Sequence, residues 1–193
     1  GDRPARSVQR RRPSPEEEMD RVMREFDAVI PRLDIADLVP RAVQGEDRAR
    51  ALSDVVAELR RNFPLIRKVM TYYAMLGAVD SNADVEKPSG DANEAFTMNR
   101  EELWHLVQDL RVLDKNLHKQ LVDIIFVRAN WTRDPGSGML VEEEGNATSE
   151  LVVHELLGVL CRMAAAKYGP ANKRLPTSEQ LSLAAMVGKL LQE

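Results

Sequence analysis

An all-α fold follows from three features of this 193-residue chain. Apolar residues recur at spacings of three and four over most of its length, the period of a half-buried helix. Polar helix-start signals precede several of those runs. No segment alternates apolar and polar residues for long enough to make a useful strand. Hydrophobic residues are 44% of the chain, so a core can be buried. Aromatics are only 5% while Met occurs eight times, which suits aliphatic helix packing and adaptable grooves.

Residues 1–13 are rich in Arg and Pro, the composition of a flexible basic arm. Within it Arg10, Arg11 and Arg12 offer an electrostatic contact for an acidic surface; a solvated tail is the plainer reading. Ser14-Pro-Glu-Glu17 then reads as a capping box with Pro15 at the first helical position. The helix that follows sets Met19, Val22, Met23, Phe26, Val29, Ile30 and Leu33 on one face, and Pro31 ends or kinks it.

A short piece at Ile35–Val39 is cut by Pro40, and a better helix carries Leu52, Val55, Val56, Leu59 and Phe63. Asn62-Phe-Pro64 reads as a fresh start, followed by Ile66, Val69, Met70 and Tyr73. The polar stretch from Gly77 to Thr97, with Pro88 and Gly90, predicts a long loop. Asn99 and Glu102 form a second capping box before Leu103, Leu106, Val107 and Leu110. After a break near Asp114 comes a helix with Leu117, Leu121, Ile124, Ile125 and Phe126, in which Asp123 faces water. A second loop spans 130–148. Ser149 caps a helix carrying Leu156, Leu160 and Met163, and Thr177 with Gln180 opens the last one. The expected total is seven or eight helices. The chain starts without Met and ends at Leu190-Leu-Gln-Glu with the helical pattern still running, which predicts a piece of a longer or processed polypeptide.

The net charge of −4 argues against a dedicated nucleic-acid binder, which needs a strong basic footprint. Cys161 is the only cysteine and lies in an apolar periodic run, so it reads as an inert core thiol in a reducing compartment. No signal peptide and no membrane-length apolar run is visible, which predicts a soluble cytoplasmic protein. His154-Glu155 opens like a zinc-protease helix, but Gly158 stands where the second His is required. His105 and His118 read as surface or helix-edge residues without a metal cluster. No phosphate loop or nucleophile elbow occurs, so the chain predicts no enzyme and no cofactor.

The segments leaving the two long loops match one another. Met98-NREELWHLVQDL and Leu151-VVHELLGVLCRM each give an apolar residue, three mixed residues, then Glu-Leu and an apolar face in the same register. Glu102 aligns with Glu155. This resembles the outgoing half of an EF-hand, in which the apolar residue pairs the two loops through a short β-contact and the glutamate closes a calcium shell. Val69-MTYY and Ile125-FVRAN fit the incoming helices, so the resemblance covers roughly 62–168 as a degenerate pair of hands.

The loops depart from that pattern, because an EF-hand loop has about twelve residues with Gly at the sixth. Counted back from Glu102 the first ligand position is Asp91, and Phe96 stands where Gly belongs. Asp80, Asn82 and Asp84 alternate like ligands, but Glu102 lies beyond their reach. Glu102 has a structural use in the Asn99 capping box, and Glu155 faces solvent or a neighbouring backbone amide. Expanded calcium-free pairs of this kind are found in ciliary, axonemal and microtubule-associated proteins, including the tubulin-polymerisation-promoting family. The Tyr-rich incoming helix and the Asp123–Phe126 run are similar to theirs.

What the resemblance implies is a non-catalytic scaffold or adaptor that binds a partner's amphipathic helix, with tubulin or axonemal proteins as candidate partners. The groove residues would be Met70, Tyr73, Leu106, Leu110, Ile125, Leu156, Leu160 and Met163. The helix around Met19–Leu33 would fill that groove in cis. The alternative is a calcium sensor that keeps Glu102 and Glu155 as ligands. The expected organisation is an arm at 1–13, N-terminal helices packed on the core at 14–61, the hand pair at 62–168 and a C-terminal helix at 169–193.

Overall fold

In the computed structural model the described residues are 13–40, 43–80, 97–133, 136–137, 139–142, 149–169 and 181–192. They are mostly helical, and the all-α expectation holds. Among them stand six α-helices, two 3₁₀ turns and four strands of two or three residues each.

Helix α1 (Pro15–Val29) begins as its sequence dictates. Ser14 Oγ accepts from the Glu17 N–H at 3.2 Å, and Glu17 Oε2 accepts from the Ser14 N–H at 2.6 Å. Glu16, Glu17 and Glu18 place negative charge at the positive end of the helix dipole. The helix stops before Pro31, which lies in a 3₁₀ turn (Ile30–Arg32), and a second turn follows at Ala36–Leu38.

Helix α2 (Gly45–Asp80) corrects one expectation. Its 36 residues run through Pro64, so Asn62-Phe-Pro64 is helix interior rather than a new start, and Gly77, where a loop was expected to begin, still lies in the helix, which continues to Asp80. Pro64 has no N–H for the Arg60 carbonyl, a defect worth about 3 kcal/mol in an isolated helix. Burial overrides it. Val55, Leu59, Phe63, Ile66, Met70 and Tyr73 are all buried and keep the three-four spacing across the proline. Each large side chain of this set contributes about 1.5–3 kcal/mol. At ~1.5 Å per residue α2 is about 54 Å long and serves as the spine of the fold.

Onto this spine α1 packs through Phe26, whose ring meets Phe63 edge-on at 5.0 Å between centroids. Ion pairs flank that contact: Arg67 to Glu25 at 2.8 Å, and Arg60 to Asp27.

Strand β1 (Met98–Asn99) leads into α3 (Arg100–Asp109), and α4 (Lys119–Ala129) follows a short connection. Asp114 Oδ1 holds that connection by accepting from the Asn116 and Leu117 N–H groups at 2.7 and 2.9 Å. His118 is the N-cap of α4, with Nδ1 accepting from the Leu121 N–H. Strands β2 (Trp131–Arg133) and β3 (Leu140–Glu142) form an antiparallel hairpin, and β4 (Glu150–Leu151) pairs with β1.

Helix α5 (Val153–Tyr168) is buried at every position from Val153 to Ala164, as only a helix surrounded by others can be. The cap position is Val152, so Ser149 is not its cap; Ser149 precedes β4. Helix α6 (Leu183–Leu190) starts at Ser182, whose Oγ accepts from the Ala185 N–H at 3.2 Å. The expected start at Thr177 and Gln180 lies outside the described residues. Helix α6 packs against both α2 and α5, burying Met186, Val187 and Leu190. Gly188 allows this close approach: a Cβ there would stand 3.0 Å from Glu58 Oε1. No helix among the described residues is long and apolar enough to cross a membrane.

Candidate functional site

The two segments matched in sequence meet in space. Met98 pairs with Leu151 and Asn99 with Glu150 in antiparallel register, and both apolar side chains are fully buried. Each strand turns directly into a helix, and each helix closes its first turn with a glutamate. Glu102 Oε2 accepts from the Asn99 N–H at 2.8 Å, and Glu155 Oε2 accepts from the Val152 N–H at 2.8 Å. The two starts differ at the cap. Asn99 Oδ1 accepts from the Glu101 and Glu102 N–H groups, whereas Val152 has no side-chain oxygen and only the glutamate half of the box exists.

Both glutamates are buried, at 7% and 2% exposure, and both carboxylates are turned back onto their own backbone. Burial pushes the Glu102 carboxyl up from its ordinary range, opposed by the Asn99 N–H and reinforced by the nearby negative charges of Glu150 and Glu101. Thr97 Oγ1 donates to Glu150 at the edge of the same pair. Among the described residues no group of three or more His, Cys, Asp or Glu is placed to hold a metal ion. The alternating Asp80, Asn82 and Asp84 and the positions around Asp91 fall outside the residues whose side chains are described, as do Arg10, Arg11 and Arg12.

The residues expected to line a partner groove are core. Met70, Tyr73, Leu106, Ile125, Leu156, Leu160 and Met163 are buried, and Leu110 is half-buried against the same core. Their spacing identified the inward faces of α2, α3, α4 and α5 but not what covers them. The cover is the chain itself: α6 lies against α2 and α5, and α1 packs in cis on α2. Tyr73 donates its O–H to Asp109 at 2.6 Å, joining α2 to α3. Its phenol is pushed up to about 12, first by burial and then by that bond. Burial likewise pushes the Cys161 thiol up to about 12, which leaves no reactive thiolate at neutral pH.

A polar cluster fastens the segment after α1 to the core. Arg162 Nη2 donates to the Asp34 carbonyl at 2.8 Å and to Asp37 Oδ1 at 3.0 Å. Arg128 Nη2 reaches Asp34 Oδ2 at 2.9 Å while its Nη1 donates to the Trp131 carbonyl at 2.8 Å. Gly158 makes room for Arg162, since a Cβ there would stand 3.1 Å from its Nη1. Burial lowers the Arg162 pKa, against the opposing pull of Asp37. The pairing spans 125 positions, and no local pattern announces it.

Among the exposed apolar side chains, those on α4 and α2 form groups. On α4, Ile124 and Val127 are 62% and 56% exposed and, with Trp131, line a shallow apolar depression flanked by Asp123 and Arg128. Asp123 does not simply face water: its Oδ1 accepts from Trp104 Nε1 at 3.2 Å, and Lys119 lies 4.9 Å from the Trp104 ring centre. On α2, Leu65, Tyr72, Met75 and Leu76 are exposed along the second half of the helix. No family model, curated protein or solved structure matches the chain.

Proposed function

We propose that this chain is a non-catalytic helical scaffold, built on a degenerate EF-hand pair, that holds partner protein segments without calcium. One observation carries the reading. Two helices leave one antiparallel pair at Met98 and Leu151, and each spends its first-turn glutamate on a backbone N–H. The paired exits support the EF-hand relationship. The use of Glu102 and Glu155 as backbone acceptors supports the loss of metal binding, because those carboxylates would have to leave buried hydrogen bonds to close a calcium shell.

Helix α6 packs in cis on α2 and α5, and the Met19–Leu33 segment expected to fill the groove packs on α2, so partner contact falls to the exposed apolar faces of α2 and α4. The resemblance to ciliary, axonemal and microtubule-associated domains makes a cytoskeletal assembly the setting to examine first. Calorimetric titration of the full chain with calcium tests the reading. No heat and an unchanged melting temperature are expected. A calcium-dependent rise in melting temperature would instead assign the sensor role to Glu102 and Glu155. Co-sedimentation with microtubules tests the setting: pelleting supports it, and a chain left in the supernatant removes tubulin as the partner.

A further inference from the structure

The segment after α1 is held in the way a groove holds a bound peptide. From Leu33 to Val39 it makes one 3₁₀ turn and pairs with no strand among the described residues. Arginines from three helices take its main-chain carbonyls and its carboxylates. Arg48 on α2 donates to the Val39 carbonyl at 3.2 Å and to the Ala36 carbonyl. Arg162 on α5 donates to the Asp34 carbonyl at 2.8 Å and to Asp37 at 3.0 Å. Arg128 on α4 donates to the Asp34 carboxylate at 2.9 Å. Ile35 and Val39 are the segment's two buried side chains, while Ala36 and Asp37 face outward. Spaced apolar anchors with bonds to the main chain are the means of extended-peptide recognition. The contact is not packed as core: a small enclosed cavity remains beneath it, with Asp34, Arg128, Trp131, Gly158 and Arg162 in its wall.

The segment fills only part of the surface open to it. Arg128 and Trp131 line that cavity and also the shallow depression on α4, so the two are continuous. Asp34 borders the shared wall and Asp37 does not, which puts the depression beyond the segment's N-terminal end. There the chain turns away into the 3₁₀ turn at Ile30–Arg32, and Ile124 and Val127 stay exposed. A ligand with the same two carboxylates and an apolar side chain ahead of them gains a contact that the segment does not make. Such a gain is what displacing a tethered competitor requires.

We infer that Leu33–Val39 is the in-cis occupant of a peptide groove formed by Arg48, Arg128 and Arg162, and that the groove receives an extended acidic segment of a partner protein. That segment carries two carboxylates three residues apart and an apolar residue ahead of them, which seats on Ile124 and Val127. The inference extends the scaffold reading, but calcium binding would overturn that reading and leave this groove untouched.

The test uses the full chain and a labelled peptide of about ten residues that repeats Leu33–Val39 behind two added leucines. A counterpart has Asn for both Asp. Asp37→Ala loosens the segment and leaves Arg162 a place for the peptide's carboxylate. Fluorescence anisotropy should show the acidic peptide binding this variant about ten-fold or more tightly than the native chain. The Asn counterpart should bind it about ten-fold more weakly. Adding Ile124→Ser should cost about ten-fold in affinity without lowering the melting temperature further. In the native chain, an endoproteinase that cuts before Asp should cleave at Asp34 and Asp37 faster than the whole fold opens, and faster still in high salt. Equal binding of the two peptides, no binding to Asp37→Ala, or indifference to Ile124→Ser overturns the inference. So does an Asp37→Ala chain that no longer melts cooperatively, or cleavage only at the rate of global unfolding, since the segment is then core. A dimer of Asp37→Ala in sedimentation that the acidic peptide dissolves would make a second copy the occupant and overturn it equally.

Discussion

Met98 and Leu151 stand directly opposite each other across an antiparallel pair, fully buried, and each lies four residues ahead of the glutamate that closes its helix. The pair is the point from which α3 and α5 diverge, so its packing fixes their relative placement. Leu151→Ala should therefore cost about 2–5 kcal/mol in chemical denaturation, as large-to-small changes at well-packed sites do. Ile124→Ala, at an exposed position, should change stability by about 0.5 kcal/mol or less. Similar effects from the two substitutions would show that the β1–β4 contact does not organise the core.

The Asp37–Arg162 bond ties the segment following α1 to the most buried helix. Arg162→Met should destabilise the fold by about 2–3 kcal/mol, because it strands acceptors that the guanidinium satisfied. The figure sits below that for a fully buried pair since the Asp37 side chain is 38% exposed and can turn to water. In a double-mutant cycle with Asp37→Asn, a coupling of about 1 kcal/mol is expected. Strict additivity would mean that Arg162 works through its bonds to the Asp34 and Gly158 carbonyls.

Much of this architecture is legible in the sequence, because the physics that writes it is local. The Ser14–Glu17 and Asn99–Glu102 boxes need only neighbouring residues, and both occur as their spacing demands. The match between the segments after Met98 and Leu151 is also readable, since each repeats the same local chemistry. What the sequence leaves open is what lies on top. Apolar periodicity marks Leu156, Leu160 and Met163 as inward, but that α6 packs against α5 is a tertiary fact. Likewise nothing near Asp37 points to Arg162. Pro64 misleads for the opposite reason: its local preference for a helix start is strong, and burial on both sides outweighs it.

That balance at Pro64 can be measured. Replacing it by Ala restores an N–H for the Arg60 carbonyl and removes the ring's clash with the preceding turn. The helix-propensity gain of up to about 3 kcal/mol is offset by lost ring packing and by greater freedom of the unfolded chain. Pro64→Ala should raise stability by about 1–2 kcal/mol, read as a higher denaturation midpoint at constant slope. A destabilised variant would show that both halves of α2 reach the core only through the bend that the proline imposes.

The raised pKa of Glu102 makes a pH dependence with a definite sign. Burial, the largest cause, disfavours its charged form in the folded state, so the folded protein holds this proton more tightly than the unfolded chain. For a carboxyl shifted upward, the folded state binds more protons in the window between the two pKa values, and stability falls as pH rises through it. The contribution is full below the ordinary carboxyl value of 4.5 and is lost as pH passes the raised value. Glu102→Gln keeps an oxygen for the Asn99 N–H but cannot ionise. Its stability relative to the native chain should climb as pH increases above about 4.5 and then level off. Parallel pH profiles for Glu102→Gln and the native chain would show that the Asn99 N–H, not burial, dominates this carboxylate. Its role in closing α3 would then be that of an ordinary charged cap.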